Sequence, residues 1–176
     1  MENQKGVYKD ADEIVYQVNE KDEEIGPVKR QEVRDKTLIH RCTFIFVKNS
    51  EDKFWVHKRT MQKAWCPGYY DLAFGGVVDY GEDYYTSAKR ELKEEAGLET
   101  DITEQMKIYY EDSKSKSFGM VYTTNSDGPL KLQESEVESV HLMSKQEILQ
   151  KAENQEKIAP DSLKAFKELI KQNKIN

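Results

Sequence analysis

Three glutamates, Glu91, Glu94 and Glu95, lie three and four positions apart in "GGVVDYGEDYYTSAKRELKEEAGL", residues 75–98. In a helix this spacing brings their β-carbons to within about 5–6 Å of one another, where like charges repel. A cation held among the carboxylates would explain the arrangement. Mg²⁺ binds oxygen ligands, and it typically takes a few carboxylates while phosphate oxygens and waters complete its shell. The pattern therefore indicates a divalent-metal site for a phosphate-containing ligand.

The alternative is a solvated helix face on which Lys89 and Lys93 partner the glutamates, as charge runs usually do. The wider spacing favours the metal site. The pattern G-x5-E-x7-R-E-U-x-E-E-x-G-U, where U is apolar, is matched at every position by Gly76, Glu82, Arg90, Glu91, Leu92, Glu94, Glu95, Gly97 and Leu98. With ordinary residue frequencies, the random chance of these identities is below about one in a million. Residues 76–98 thus carry a motif that resembles the signature of the Nudix hydrolases.

The resemblance implies a fold and an activity. Nudix proteins have an α+β fold, an α/β/α sandwich with a mixed β-sheet, in which the motif forms a loop, a helix and a second loop. Most of them hydrolyse a nucleoside diphosphate linked to another group, with Mg²⁺ or Mn²⁺ as the metal. We therefore expect a single domain over residues 1–176, with a core at about 38–152, and a small-molecule diphosphate as substrate.

The resemblance also implies roles for individual residues. Glu91, Glu94 and Glu95 would bind the metal, and Glu91 or Glu94 could also deprotonate the attacking water. Arg90 would orient the glutamates through charge-assisted hydrogen bonds, and Glu82 would help to hold that arrangement. Gly75 and Gly76 allow a tight backbone turn close to an ion, and Gly97 is well placed to end the helix.

Three residues outside the motif are further candidates. An additional acid often completes Nudix sites, and Glu136, next to Glu134 and Glu138, is our choice of fourth metal ligand, although an acid before an apolar strand is also ordinary surface decoration. Arg59 and Lys63 are candidate phosphate-binding residues, because Arg suits bidentate phosphate contacts and Lys supplies a point charge. Their alternative is as surface cations at a strand end. Trp65 could stack on a base or pack beneath its own loop.

Flanking segments resemble a narrower branch of the family, which contains the isopentenyl-diphosphate isomerases and hydrolase-like cousins. These segments are "IHR" (39–41), "KRTMQK" (58–63) and "PGYYD" (67–71). The isomerases need a cysteine where this chain has Gly75 and metal-binding histidines near Val77 and Val33; His40 alone matches one of their histidine positions. The complete glutamate set favours a hydrolase. An isomerase-like enzyme and a non-catalytic nucleotide-binding module remain the alternatives.

Composition limits the other classes of function. The net charge of −6 argues against non-specific nucleic-acid binding, which relies on a basic surface. No apolar run is long enough to span a bilayer, and the first 13 residues lack the apolar core of a signal peptide. Two cysteines in 176 residues do not make a disulfide framework, so we expect a reducing, cytoplasmic location. A monomer and a homodimer are both compatible with the sequence.

The elements that must position the motif follow from periodicity and turn residues. We expect a helix at 82–96, because Ala88, Leu92 and Ala96 form an apolar stripe. Further helices are predicted at 27–36, with Pro27 in the first turn, at 144–152 behind a Ser–Glu capping box, and at 160–172. Strands are predicted at 13–20, 41–49, 53–59, 105–110, 117–124 and 137–142, with an edge hairpin in residues 7–20. Residues 72–78 are predicted to form a short strand or a pair of strands.

Overall fold

The computed structural model describes residues 8–175. Residues 1–7 and residue 176 lie outside the described residues. Residues 1–7 include part of the 13-residue segment in which no signal peptide is expected. Residue 7 is also the first residue of the expected edge hairpin. The strands are β1 (Ile14–Val18), β2 (Glu24–Lys29), β3 (Ile39–Lys48), β4 (Phe54–Arg59), β5 (Tyr70–Asp71), β6 (Thr103–Glu111), β7 (Lys116–Asn125) and β8 (Val137–Met143). The helices are α1 (Arg30–Lys36), α2 (Tyr84–Ala96), α3 (Lys145–Glu153) and α4 (Pro160–Lys171).

The eight strands form one mixed sheet around β3. β3 pairs in parallel with β7 along its whole length, from Ile39 opposite Lys116 to Lys48 opposite Asn125. The other pairings between strands are antiparallel, with β1 and β4 against β3, β6 against β7, and β8 and β5 against β4. The predicted hairpin at 41–49 and 53–59 exists, but β3 and β4 share only the Lys48–Phe54 pair. β7 occupies one edge of β3, and residues 74–78 form hydrogen bonds with the other edge, which β4 would otherwise use.

Both faces of the sheet are covered by helices. Successive side chains of a strand point to opposite faces. On β3, Phe46 packs into one core with Phe166 of α4, their ring centroids being 5.8 Å apart, while Ile45 packs into another with Leu92 of α2. Helices on the two sides of a mixed sheet make an α/β/α sandwich, so the predicted α+β fold class is confirmed.

The N-terminal elements differ from the prediction in two respects. A hairpin does lie at the sheet edge, but β1 and β2 form it over residues 14–29 and not over the expected 7–20, with Tyr16 opposite Pro27. Pro27 therefore lies in a strand, and the prediction that it occupies the first turn of a helix at 27–36 was wrong: α1 begins at Arg30. Proline lacks the N–H that a central strand needs for pairing on both sides, but an edge strand tolerates it. The pairing of β2 with β1 therefore determined the structure around Pro27.

The predicted strand at 72–78 was also wrong in its extent. The regular strand here is β5, at Tyr70–Asp71, and after it the chain touches β3 through two isolated bridges, Phe74 to Ile45 and Val77 to Cys42. Gly75 lies between the bridges with φ of 132°, which interrupts the ladder. This interruption is what brings the backbone of Gly75 and Gly76 beneath helix α2.

The helices at the C-terminal end match their predictions to within a residue or two. α3 begins with the expected capping box: Glu147 N donates to Ser144 Oγ at 3.2 Å, and Ser144 N donates to Glu147 Oε2 at 2.7 Å. Within residues 8–175, no helix is both long and apolar enough to cross a membrane.

Removing the cap of α3 should have a modest effect on stability. Ser144→Ala deletes one side-chain acceptor from the first turn of α3, and we expect it to lower the free energy of unfolding by about 1 kcal/mol. Urea denaturation followed by circular dichroism measures this loss. Ser113→Ala, at an exposed turn serine, is the matched control. Equal stability of the two variants would show that the capping box contributes nothing.

Candidate functional site

Helix α2 carries the motif glutamates and is fixed at both ends. Asp83 caps its start by accepting a hydrogen bond from Thr86 N at 2.7 Å, and Gly97 ends it in the left-handed conformation, with its N–H bonded to Lys93 O. Leu92 packs fully buried against the sheet. Because the apolar stripe that contains Leu92 packs against the sheet, Glu91 and Glu95 lie along the edge of the helix that faces the Gly75–Gly76 loop. Glu94 is more exposed.

The Gly75–Gly76 loop makes close contact with two of these glutamates. Gly75 N donates to Glu95 Oε2 at 2.9 Å. A β-carbon added at Gly76 would lie 2.9 Å from the Glu91 carboxylate carbon, and one at Gly75 would lie 2.3 Å from Thr43 O. The loop therefore passes so near to β3 that glycine is required for steric reasons at position 75. At position 76 a side chain would displace the Glu91 carboxylate.

Arg90 links the acidic side chains of the motif. Its Nε and Nη2 donate to the two carboxylate oxygens of Glu82 at 3.0 and 2.9 Å, and its Nη1 donates to Glu91 at 2.9 Å and to Glu94 at 3.3 Å. Asp79 lies 3.2 Å from Nη2. One guanidinium group thus spans four carboxylates, and the hydrogen bond to Glu82 is the main cause of the raised pKa of Arg90.

Burial makes the ionised forms of two glutamates unfavourable. Glu95 is 2% exposed, and desolvation, with the nearby Glu91 charge as a second cause, raises its pKa to about 8. Desolvation likewise raises the pKa of Glu91 to about 7, against the opposing charge of Arg90. Two adjacent carboxylates with raised pKa values, one buried and one partly buried, indicate that the site has too little positive charge to balance their ionised forms.

The predicted residues outside the motif line the same cleft, which has a volume of about 190 Å³. Glu136 forms an ion pair with Lys63, which lowers the pKa of Glu136 in spite of its partial burial. Arg59 is 8% exposed; its Nη1 donates to Asp71 at 2.9 Å and its Nε to Trp65 O at 3.0 Å. Arg59 is therefore a buried ion-paired residue at the cleft wall and not a surface cation.

The comparisons with known proteins fit this geometry. The Nudix domain profile matches residues 38–166. An uncharacterised Nudix hydrolase of Pseudomonas aeruginosa, PA4841, is 36% identical over 156 residues, covering 88% of this chain and 92% of that protein. The chain belongs to the Nudix family.

Two solved structures are similar in fold to this Nudix protein. The crystal structure of DR0079 from Deinococcus radiodurans has a TM-score of 0.78 at 24% identity, over 89% of this chain and 98% of that one. The Nudix domain of NrtR from Shewanella oneidensis, solved in complex with ADP-ribose, has a TM-score of 0.62 at 16% identity, over 82% and 99% of the two chains. At these identities the structural likeness supports the fold.

The donor atoms of this Nudix site suit a hard divalent ion, which prefers carboxylate oxygens. The two carboxylates with raised pKa, both of which line the cleft, fit that choice. Within residues 8–175, however, no three His, Cys, Asp or Glu side chains are already placed to share one ion. Arg90 now bonds Glu91 and Glu94, and Lys63 bonds Glu136, so these carboxylates would have to exchange those partners for a metal.

The residues that correspond to isomerase positions also lie at the cleft, but they lack the required chemistry. Val33, Gly75 and Val77 line it, and none of these side chains can transfer a proton or bind a metal. His40 is buried, with its Nδ1 3.2 Å from Leu38 O, and desolvation lowers its pKa to about 4. The site geometry therefore does not favour an isomerase.

Several cleft residues were missed by the sequence analysis. Asp71 comes from β5, before the glycine pair, and Asp79 from the loop after it, whereas Asp10, Arg30 and Arg34 come from the N-terminal segment. Asp79 lies within the motif span, at a position that the pattern leaves unspecified. No local signal marks the other four, because their place at the cleft depends on contacts between distant parts of the chain.

The raised pKa values predict how stability depends on pH in the absence of metal. Glu91 and Glu95 bind protons more tightly in the folded protein than in the unfolded chain, so stability falls as the pH rises toward their folded values. His40 and His57, with pKa values lowered to about 4, cause an opposite trend that is complete by about pH 7. Between pH 7 and 8.5 we expect a loss of about 1–2 kcal/mol.

Thermal and urea unfolding at the two pH values, with a metal chelator present, measure this loss. Added Mg²⁺ or Mn²⁺ should restore more stability at pH 8.5 than at pH 7, because ligands that bind only the folded protein stabilise it and the carboxylates bind metal when ionised. The Glu95→Gln variant should lose much of the pH dependence. An unchanged dependence in that variant would contradict the assignment to the buried glutamates.

Proposed function

We propose that this Nudix protein is a pyrophosphohydrolase that depends on Mg²⁺ or Mn²⁺ and cleaves a nucleoside diphosphate derivative or a related diphosphate metabolite. The observation that carries the proposal is a pair of carboxylates, the buried Glu95 and the partly buried Glu91, packed beside the Gly75–Gly76 loop at the wall of an open cleft. A buried acidic pair is costly without a cation, and the cleft gives a phosphate-bearing ligand access to it.

Each predicted residue has a part in the proposed reaction. Glu91, Glu94 and Glu95, with Glu136 from just before β8, would hold the metal, and Glu91 or Glu94 would accept the proton of the attacking water. When bound, the metal would lower the pKa of a coordinated water and neutralise charge on the phosphates. Arg90, anchored on Glu82, positions Glu91 and Glu94. Lys63 and Arg59 would bind the phosphate groups.

Lys63 has the more adaptable role of the two cations. Its ammonium group is paired with Glu136, so capture of Glu136 by a metal would leave Lys63 available for a phosphate oxygen. Arg59 remains bonded to Asp71 and Trp65 O, yet a guanidinium group has five N–H donors and keeps some for a ligand. The two free cysteines, Cys42 and Cys66, support a reducing, cytoplasmic location as part of the proposal.

A panel of diphosphate-containing metabolites tests the proposal. The protein is incubated with each compound in the presence of Mg²⁺, Mn²⁺ or a chelator, and mass spectrometry identifies the products. We expect metal-dependent release of a nucleoside monophosphate or a phosphorylated fragment from at least one compound. Binding without cleavage, equal in wild type and in Glu94→Gln, would instead indicate a nucleotide-binding module. Conversion of isopentenyl to dimethylallyl diphosphate would indicate an isomerase.

A further inference from the structure

Helix α1 supplies two arginines to the wall of the cleft. Arg30 and Arg34 are one helical turn apart, both are about four-fifths buried, and both line the cleft that contains the motif glutamates. They precede residues 38–166, the part of the chain that matches the Nudix domain. This wall is therefore added by the N-terminal segment to the matched part of the fold.

Two acids form hydrogen bonds or ion pairs with the arginines, but they do not provide an acceptor for every N–H group. Arg30 Nη1 donates to Glu13 at 2.6 Å, and its Nε lies 3.3 Å from Asp10 Oδ2, the same oxygen that accepts from Arg34 Nη2. Arg34 Nη1 is buried and has no hydrogen-bond partner among residues 8–175. A buried N–H without an acceptor is costly, so an acceptor from a ligand would be favourable there.

Both arginines line the same cleft as the motif glutamates, and Arg30 is near enough to act on their charges. The Arg30 charge stabilises the ionised forms of Glu91 and Glu136 and so acts to lower the pKa of each. Lys63 acts in the same way on the pKa of Asp10 and of Glu95. Lys63 thus stands near both groups, and a ligand bound at the glutamates can extend past Lys63 to the α1 arginines.

We propose that Arg30 and Arg34 bind a second anionic group of the substrate, a phosphate outside the pyrophosphate linkage that is hydrolysed. The inference rests on the proposed function and narrows its substrate class to diphosphates that carry an additional phosphate. Guanidinium groups bind phosphate through paired, charge-assisted hydrogen bonds. Glu13, with a side chain 45% exposed, can turn to solvent when the phosphate takes its place on Arg30. Neutral sugars and prenyl chains offer these donors no acceptor of comparable charge.

Matched pairs of compounds test the proposal. They are adenosine triphosphate and diphosphate, the reduced nicotinamide dinucleotide with and without its 2′-phosphate, and coenzyme A with and without its 3′-phosphate. We expect kcat/KM to favour the more phosphorylated member of at least one pair by about tenfold or more, the effect of a charge-assisted contact. Arg34→Gln and Arg30→Gln should each reduce that ratio to near one. Lys36→Gln removes an exposed charge from the same helix, where Lys36 pairs with Glu32, and should keep the ratio.

The Asp10→Asn variant distinguishes ligand binding by Arg34 from a purely structural role. It also provides a test if Arg34→Gln fails to fold. If Arg34 only anchors the N-terminal segment through Asp10, Asp10→Asn should lower the ratio as Arg34→Gln does. If Arg34 binds the phosphate, Asp10→Asn removes a competing anion, and the ratio stays or rises. Equal turnover within every pair, a ratio unaffected by both arginine variants, or a loss in Asp10→Asn would overturn the inference.

Absence of turnover for all six compounds would count against the proposed function. The affinities of the same pairs, measured by calorimetry without metal, would then test whether the arginines bind the additional phosphate. Tighter binding of the more phosphorylated member, lost in Arg34→Gln, supports it. Equal binding within each pair overturns it.

Discussion

Replacing Glu91 with glutamine should lower the kcat of metal-dependent hydrolysis by about 10²- to 10⁴-fold, the range for losing a group that transfers a proton or holds its partner. The amide keeps the shape of the side chain and can still accept the hydrogen bond from Arg90 Nη1. It cannot carry the negative charge that binds a metal or take a proton from water. Initial rates at saturating metal, on a substrate found in the metabolite panel, measure the effect.

The same variant should not be less stable. Burial raises the pKa of Glu91, so at pH 8.5 the wild type bears the cost of an ionised carboxylate that the amide lacks. We therefore expect an equal or higher Tm for Glu91→Gln at pH 8.5 in the absence of metal. Glu99→Gln is the matched control, because Glu99 is exposed and pairs with Lys93 at 3.1 Å. Wild-type activity in Glu91→Gln, or equal losses in the two variants, would remove Glu91 from the mechanism.

Replacing Gly75 with alanine should destabilise the fold severely. The new methyl group would lie 2.3 Å from Thr43 O, a backbone atom of the central strand, and φ of 132° is unfavourable for any L side chain. Overpacking alone typically costs about 1–3 kcal/mol, and positive-φ strain adds about 1–2 kcal/mol. We expect a loss of about 3 kcal/mol or more, or failure to fold. Thermal unfolding and the yield of folded protein measure it.

Variants of two other glycines distinguish the steric effect of the added methyl group from the cost of the backbone dihedral angle. Gly81 has φ of 95° but open space around its α-carbon, so Gly81→Ala reports the cost of the dihedral angle alone. Gly76→Ala should lower activity more than stability, because its methyl group would contact the Glu91 carboxylate, a side chain that can move. Equal stabilities of Gly75→Ala and Gly81→Ala would show that the close approach to β3 is unimportant.

The helix that bears the motif could be predicted from sequence because its signals are local. The stripe from Ala88 to Ala96 has the period of a helix, Gly97 provides the stop, and the spacing of the glutamates then follows from helical geometry. The capping box before α3 is local in the same sense. These are interactions between residues three or four positions apart, which a single sequence displays directly.

The other features of the fold and of the site depend on contacts between residues that are distant in the sequence. The parallel pairing of β3 with β7 joins segments more than 70 positions apart. The expected hairpin is limited to one pair because residues 74–78 form hydrogen bonds with the edge of β3 that β4 would use. Pro27 was assigned to a helix because no local feature shows that β1 pairs with it. The sequence predicts Arg59 as a phosphate ligand or a surface cation, because its buried partner Asp71 lies on another strand, β5, and no local pattern links the two. The roles of the individual site residues stay predictions.

Metal titration in the presence of a diphosphate ligand tests the central claim most directly. Mn²⁺ is titrated calorimetrically into the protein with the non-hydrolysable α,β-methylene analogue of adenosine diphosphate, in two buffers of different ionisation enthalpy at pH 7. The account predicts saturable binding with proton release, because buried carboxylates that hold protons must lose them to bind metal. It also predicts affinity at least about tenfold weaker in Glu91→Gln and in Glu94→Gln, and unchanged in Glu99→Gln. Absence of binding, or binding that these two variants leave intact, would contradict it.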